Sequence, residues 1–167
     1  RMNELIEKVE EWARVRRLHT ASPKAQALKV IEEFTETLKA YDDSDDEEII
    51  DGVGDTYVTL IILCQQLDIS FKEIEEKSVA VPTTCHARGI NRLATGVSKG
   101  NLDLVKRATL GLLNTANFMS EMVNKEPHEC LQVAYNEIKD RKGMMIDGTF
   151  IKYDDLSDED KAVLDDA

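Results

Sequence analysis

The chain has 167 residues, 42% of them hydrophobic and 32% charged. That is the composition of an ordinary soluble domain long enough to bury one sizeable core. Its formal net charge of −12 weighs against a nucleic-acid polymer as partner, since phosphate contacts need a basic surface. It does not weigh against a nucleotide held through metal ions. The longest apolar stretch, Tyr57 to Cys64, is far too short to span a bilayer, so no membrane partner is expected. Arg1-Met2-Asn3-Glu4 shows no signal-peptide pattern. Three widely spaced cysteines, Cys64, Cys85 and Cys130, point to reduced thiols in a cytoplasm rather than to a disulfide framework.

In chain order, Asn3 to Leu18 reads as a first helix, with Leu5, Ile6, Val9, Trp12, Ala13 and Val15 at helical spacing. Arg14, Arg16 and Arg17 crowd its end, where positive charge suits the helix dipole. Ser22 and Pro23 then provide a cap and a first helical position. The second helix is expected from Pro23 to Tyr41, with Leu28, Ile31, Phe34, Leu38 and Tyr41 as its apolar stripe. Glu32, Glu33 and Glu36 lie beside one another off that stripe. An acidic turn, Asp42 to Asp46, leads to a third helix from about Glu47 to Leu67. Asp51 and Asp55 sit one turn apart on it, opposite the face of Ile49, Val53, Tyr57, Leu60 and Cys64. Beyond them that opposite side becomes Val58 and Ile62. A helix apolar all round is buried, which puts Asp55 at the edge of a packed bundle or inside it.

Ser70 caps a short helix expected over Phe71 to Lys77. Ser78 to Asn101 is less regular, with a short helix from Thr84 to Thr95 as one reading. A long helix follows from about Leu102 to Asn124, and another from Pro127 to near Gly143. Asp55 to Lys77 and Leu110 to Arg141 echo each other as long helix, break, short helix. The second copy has no acidic pair in the corresponding place. Duplication with one active half gives such an echo, and so does the chance likeness of helical hairpins. Met144 to Ile146, Asp147-Gly148 and Thr149 to Tyr153 signal a hairpin with a two-residue turn, and Ser157 caps a last short helix.

The acids carry the chemistry. A carboxylate beside an apolar core is costly unless a cation meets it. Hard cations such as Mg²⁺ take oxygen ligands and keep waters and substrate phosphates in their shell. Two packed helices, each offering two acids, suit such an ion. The bland alternative is solvated acids, with Lys29 paired to Glu33. Cys85-His86 and His128-x-Cys130 do not have zinc-site spacing. The absence of any Glu-x-x-His pair argues against a di-iron bundle.

Glu32-Glu33-Phe34-Thr35-Glu36 followed by Asp51-Gly52-Val53-Gly54-Asp55 resembles the MazG-like all-α nucleoside triphosphate pyrophosphohydrolases. That superfamily also includes dimeric dUTPases and phosphoribosyl-ATP pyrophosphohydrolases. Its pattern is E-E-x-x-E, a spacer, then E-x-x-D. The first half matches. In the second, Gly52 stands at the acid position and Asp51 one residue earlier. Tyr135 to Gly143 also looks like the family's closing segment, especially in phage-type members.

The resemblance implies one all-α domain over 1–167 with a small C-terminal β-hairpin. Within it, 3–77 would be the metal-binding core, 102–143 a second helical hairpin, and 144–167 the β-hairpin and acidic tail. It implies Mg²⁺, or Mn²⁺, held by Glu33, Glu36, Asp51 and Asp55, with Glu33 or the spare Glu32 activating a water. Lys139 and Arg141 would neutralise phosphate charge, Lys139 as part of the catalytic set. Asn136 and Trp12 would contact the nucleotide, Trp12 by stacking on the base. The bland alternative for Lys139 and Arg141 is a basic helix end; for Trp12 it is a place in the core.

The expected reaction converts a nucleoside triphosphate, in the first instance a deoxynucleotide, to monophosphate and pyrophosphate. The expected protein is a homo-oligomer, dimer or tetramer, in the cytoplasm of a bacterium or of a phage's host. The alternatives are hydrolysis of another pyrophosphate-linked nucleotide, and a non-catalytic acidic helical protein that engages a basic partner.

Overall fold

The computed structural model describes residues 1–82 and 85–166. Among them are eight α-helices and one two-stranded hairpin, the all-α architecture expected. The helices are α1 Met2–Val15, α2 Pro23–Asp42, α3 Asp46–Gln66, α4 Phe71–Glu76, α5 His86–Lys99, α6 Leu102–Met122, α7 Pro127–Ile138 and α8 Asp158–Asp165. The strands β1 Gly143–Ile146 and β2 Thr149–Lys152 pair antiparallel, with Met144 opposite Ile151. Their turn residues Asp147 and Gly148 both have positive φ, 49° and 80°, the primed turn that matches strand twist.

Several boundaries differ from the periodicity. α1 stops at Val15 because Arg17 takes a left-handed conformation (φ 59°) and Leu18–Thr20 forms a 3-10 turn. Val15 is therefore 70% exposed rather than core. The stripe of α2 is rotated: Ala27, Val30, Phe34, Thr37 and Ala40 are buried, and Leu28 is 69% exposed. Small residues face the core here because α3 runs close against them. α5 is the element least visible in the sequence, spanning 14 residues; the Thr84 start expected for it lies outside the described residues. α7 ends at Ile138, so Lys139 to Lys142 lie past the helix and lead into β1.

α3 is the central element. It packs against α2 along its length, against α7 on a second side, and against α1 and α6. Val53, Tyr57, Leu60, Ile61, Leu63 and Cys64 have essentially no exposure. Two glycines set the approach of its neighbours. A Cβ on Gly52 would stand 2.9 Å from Thr37 Cβ of α2, and one on Gly54 would stand 2.8 Å from Ala134 Cβ of α7 and also meet the Cys130 carbonyl. The missing side chains let two helices lie against α3 on either side of Asp55.

The echo in the sequence is a structural repeat with a constant shift of 56 residues. α3 and α6 are both 21 residues long. Asp45 and Asn101 cap them with the same side-chain contact, to the amides of Glu48 and Leu104. Ser44 and Gly100 before the caps have φ of 54° and 65°, and Asp68 and Asn124 after the helices both have φ of 55°. The turn bonds Asp45 N–H to Ala40 O and Asn101 N–H to Gly96 O correspond, as do Ile69 to Cys64 and Lys125 to Ser120. The unit α2–α3–α4 thus recurs as α5–α6–α7, and the two units pack together with α7 lying on α3 and α4 on α6.

Gly54→Ala is expected to destabilise the fold by about 1–3 kcal/mol, the usual range for overpacking a tight contact. Gly111→Ala on α6, where an added Cβ would meet nothing within 4 Å, is expected to be neutral or slightly stabilising. Urea denaturation of both variants measures the difference, and equal midpoints would contradict the close-approach account.

Candidate functional site

Glu33 of α2, Asp55 of α3, and Glu137 of α7 line one cavity of about 540 Å³. The helix packing places them there: Glu33 lies next to core-facing Phe34, Asp55 follows Gly54, and Glu137 precedes buried Ile138. The remaining walls come from Lys29 and Gln26 of α2, Val58, Thr59 and Ile62 further along α3, Trp12 of α1, and the hairpin residues Phe150 and Lys152. Arg141 also lines the cavity. With Asp155 also in the lining, the cavity carries four acids, three cations and an aromatic wall.

The acids lie in one another's fields. Burial, then Glu33, Glu137 and Asp51, push the Asp55 carboxyl up to about 7, and Arg141 opposes the shift. Glu33 is raised by burial, then by Glu36 and Glu32, with Lys29 and Lys152 pulling the other way. Carboxylates that raise one another's pKa inside a cavity fit a cation as their partner. Among the described residues, no three His, Cys, Asp or Glu side chains converge into a ready-made ligand cluster. The acids instead face a shared space, a donor set suited to a hard cation that keeps water and phosphate oxygens in its shell.

The sequence-expected residues separate into groups. Glu33 and Asp55 are in the cavity. Glu36 and Asp51 do not line it, but each acts electrostatically on the acid one turn away. Glu32 is exposed and bridged to Lys29 at 3.0 Å, so the Lys29 partner is Glu32 rather than the Glu33 considered from spacing. Arg141 is in the cavity, whereas Lys139 is exposed outside it. Asn136 is exposed and accepts from Gln132 Nε2 at 2.9 Å, away from the cavity.

Trp12 touches the cavity while serving a different purpose. Its indole N–H donates to Ile138 O at 2.8 Å, its ring meets Phe150 edge-on, and the Arg16 guanidinium lies over it at 4.5 Å. Arg16 in turn donates to Arg141 O at 2.7 and 3.0 Å. Trp12 and Arg16 therefore satisfy carbonyls at and beyond the end of α7 and hold the segment that carries Arg141.

Glu137, Lys152, Phe150 and Arg16 were not singled out from the sequence. A single acid within the quoted closing segment and residues of a short hairpin carry no local signal. Only the folding back of α7 and the hairpin onto α3 brings them to the site.

Residues 2–79 match the family model described as phosphoribosyl-ATP pyrophosphohydrolase. Among curated proteins, an "Uncharacterized 18.2 kDa protein in rep-hol intergenic region" of Haemophilus phage HP1 is 33% identical over 66 residues, which cover 39% of this chain and 40% of that protein. The chain thus spans less than half the length of that relative. No solved structure matches.

The raised Asp55 carboxyl has a consequence for stability. A free aspartate titrates near about 3.9, so the folded chain holds this proton more tightly than the unfolded one. The stabilisation is complete below about pH 4 and is lost as pH rises through about 7. In chelator, the wild-type melting temperature is expected to fall across that window more steeply than that of Asp55→Asn. Parallel profiles by scanning fluorimetry would contradict the raised Asp55 carboxyl.

Proposed function

We propose that this chain, whose residues 2–79 match the phosphoribosyl-ATP pyrophosphohydrolase family model and whose acid motifs resemble the MazG-like superfamily, is a Mg²⁺-dependent nucleotide pyrophosphohydrolase. The observation that carries the reading is the shared cavity in which Glu33, Asp55 and Glu137 face Lys29, Arg141 and Lys152. A non-catalytic acidic surface would keep its acids in solvent; burial is the largest influence on both Glu33 and Asp55.

Glu33 and Asp55, with Glu36 and Asp51 one turn away, would hold the metal. Bound there, Mg²⁺ or Mn²⁺ supplies a polarised phosphoryl oxygen and a more acidic water. Glu33 accepts the proton of the attacking water, since Glu32 is engaged with Lys29 in solvent. The water oxygen bonds to the α-phosphorus, the bond from that phosphorus to the bridging oxygen breaks, and pyrophosphate leaves with the electron pair. Arg141 and Lys152 meet the phosphate charge, in place of the Lys139 expected from the sequence. Phe150 offers an apolar wall for the nucleoside.

The preferred substrate class is a nucleoside triphosphate, with a deoxynucleotide first. The family match favours one further arm, phosphoribosyl-ATP. The reading extends to a cytoplasmic homo-oligomer, dimer or tetramer, on the resemblance alone. For the membrane, the observation is that no described helix is long and apolar enough to cross one.

Pyrophosphate release from a panel of NTPs, dNTPs and phosphoribosyl-ATP with Mg²⁺ tests the reading. Turnover of at least one is expected, with Glu33→Gln or Asp55→Asn lowering kcat by about 10²-fold or more. Arg141→Ala is expected to cost more than Lys139→Ala, which lies outside the cavity. No release from any substrate, together with no Mg²⁺-dependent thermal shift, would overturn the proposal.

A further inference from the structure

The repeat pairs each of the five acids of the quoted motifs, the four expected metal ligands and the spare Glu32, with a definite residue 56 positions on. Arg88 stands where Glu32 stands, Gly89 where Glu33 stands, and Arg92 where Glu36 stands. Arg107 corresponds to Asp51 and Gly111 to Asp55. No acid is retained: two become glycine and three become arginine. Basic residues fill only 21 of the 167 positions, so composition alone does not produce arginine at all three non-glycine counterparts.

These residues also line a cavity, of about 300 Å³. Its Cys85, Gly89, Gly111 and Thr115 are the counterparts of Lys29, Glu33, Asp55 and Thr59, which line the acidic cavity. Arg88, Arg92 and Arg107 complete its wall. The second unit has therefore kept the concavity and reversed its charge. The glycines leave it open: a Cβ on Gly111 would meet nothing within 4 Å, and one on Gly89 only Leu112.

Three guanidinium groups around one recess repel one another unless an anion joins them. Arg107 has a partner, Asp103 at 2.8 Å. Among the described residues neither Arg88 nor Arg92 is paired with a carboxylate. His86, also in the lining, sits edge-on to Phe34 and has a buried Nδ1 with no hydrogen-bond partner. The first turn of α5 adds N–H groups that the Cys85 side chain does not cap. The bland alternative is a solvated basic helix face, which the exposure of Arg88 permits and the half-burial of Arg92 does not favour. It leaves unexplained the shared recess, the buried orphan nitrogen and the register with the acidic site.

We propose that this cavity is a second, metal-independent site for a phosphate-chain anion, with Arg88, Arg92 and Arg107 binding the oxyanions directly. Guanidinium groups recognise phosphate through charge-assisted, bidentate hydrogen bonds and need no bridging cation. The ligand chemistry is that of a di- or triphosphate group, whether as inorganic pyrophosphate or on a nucleotide. The inference stands on the repeat and the arginines, and holds whether or not the acidic cavity is a hydrolase.

Calorimetric titration of the whole chain with inorganic pyrophosphate in excess EDTA tests it, since the chelator removes any metal-bridged binding at the acidic cavity. Wild type is expected to bind. R88Q/R92Q is expected to lose about tenfold or more in affinity, R88K/R92K to keep part of it, and Glu33→Gln to bind as wild type. Arg88 is exposed and Arg92 half-buried, and among the described residues neither is paired with a carboxylate, so the variants should melt close to wild type. A parallel titration with ATP or dATP in EDTA separates the sources: tighter nucleotide binding assigns a nucleotide, equal affinity the phosphate chain alone. Absence of binding to wild type, undiminished binding to R88Q/R92Q, or loss in Glu33→Gln with retention in R88Q/R92Q would overturn the proposal.

Discussion

The close approach of α2 and α7 to α3 is the constraint on which the rest depends. At Gly52 the neighbour is Thr37, and at Gly54 it is the backbone of Cys130 and the methyl of Ala134. Larger residues at either glycine would push a helix away. With both helices seated, Glu33 and Glu137 face Asp55, and burial of Asp55 beside them makes its charge costly. The same packing that stabilises the core thus builds an electrostatic demand at its edge. Such demands are characteristic of sites that take a cation. The segment after α7 then matters because it returns positive charge to the rim: Trp12 and Arg16 hold its carbonyls, Arg141 lines the cavity, and β2 adds Phe150 and Lys152.

The two units of the repeat share backbone geometry but not chemistry. Caps, left-handed turns and helix lengths are kept, since these determine whether the hairpins form. The polar faces differ completely, since a surface side chain costs the fold little to change. One hairpin offers carboxylates and the other guanidinium groups. Adjacent residues of α2 serve the two recesses: Glu33 lines the acidic one and Phe34 the basic one.

Much of this was legible in the sequence, and the reasons for the gaps are physical. α3 was readable because its apolar run is long and its start is marked by acids. Glu33 and Asp55 were readable because paired acids on helices flanked by core residues are unusual. The stripe of α2 was misplaced because close packing favours Ala and Thr over Leu, and hydrophobic periodicity weights the larger residues. Asp-Gly-Val-Gly-Asp looked like a displaced motif; its glycines are explained only by the helices that cross there. Trp12 illustrates a similar gap, since an aromatic in an amphipathic helix does not reveal that its N–H reaches Ile138, 126 residues away. The repeat was visible as an echo but not as a register, because caps and left-handed turns, rather than side-chain identity, carry it.

The central claim is that Glu33, Asp55 and Glu137 surround the place where a hard cation binds. Titrating isotope-labelled protein with substoichiometric Mn²⁺ and mapping paramagnetic broadening of the amide signals tests it most directly. Broadening centred on the turns around residues 33, 55 and 137 is predicted, with Mg²⁺ competing it away. Broadening confined to the acidic turn at 42–48 or to the acidic tail after 154 would contradict the account.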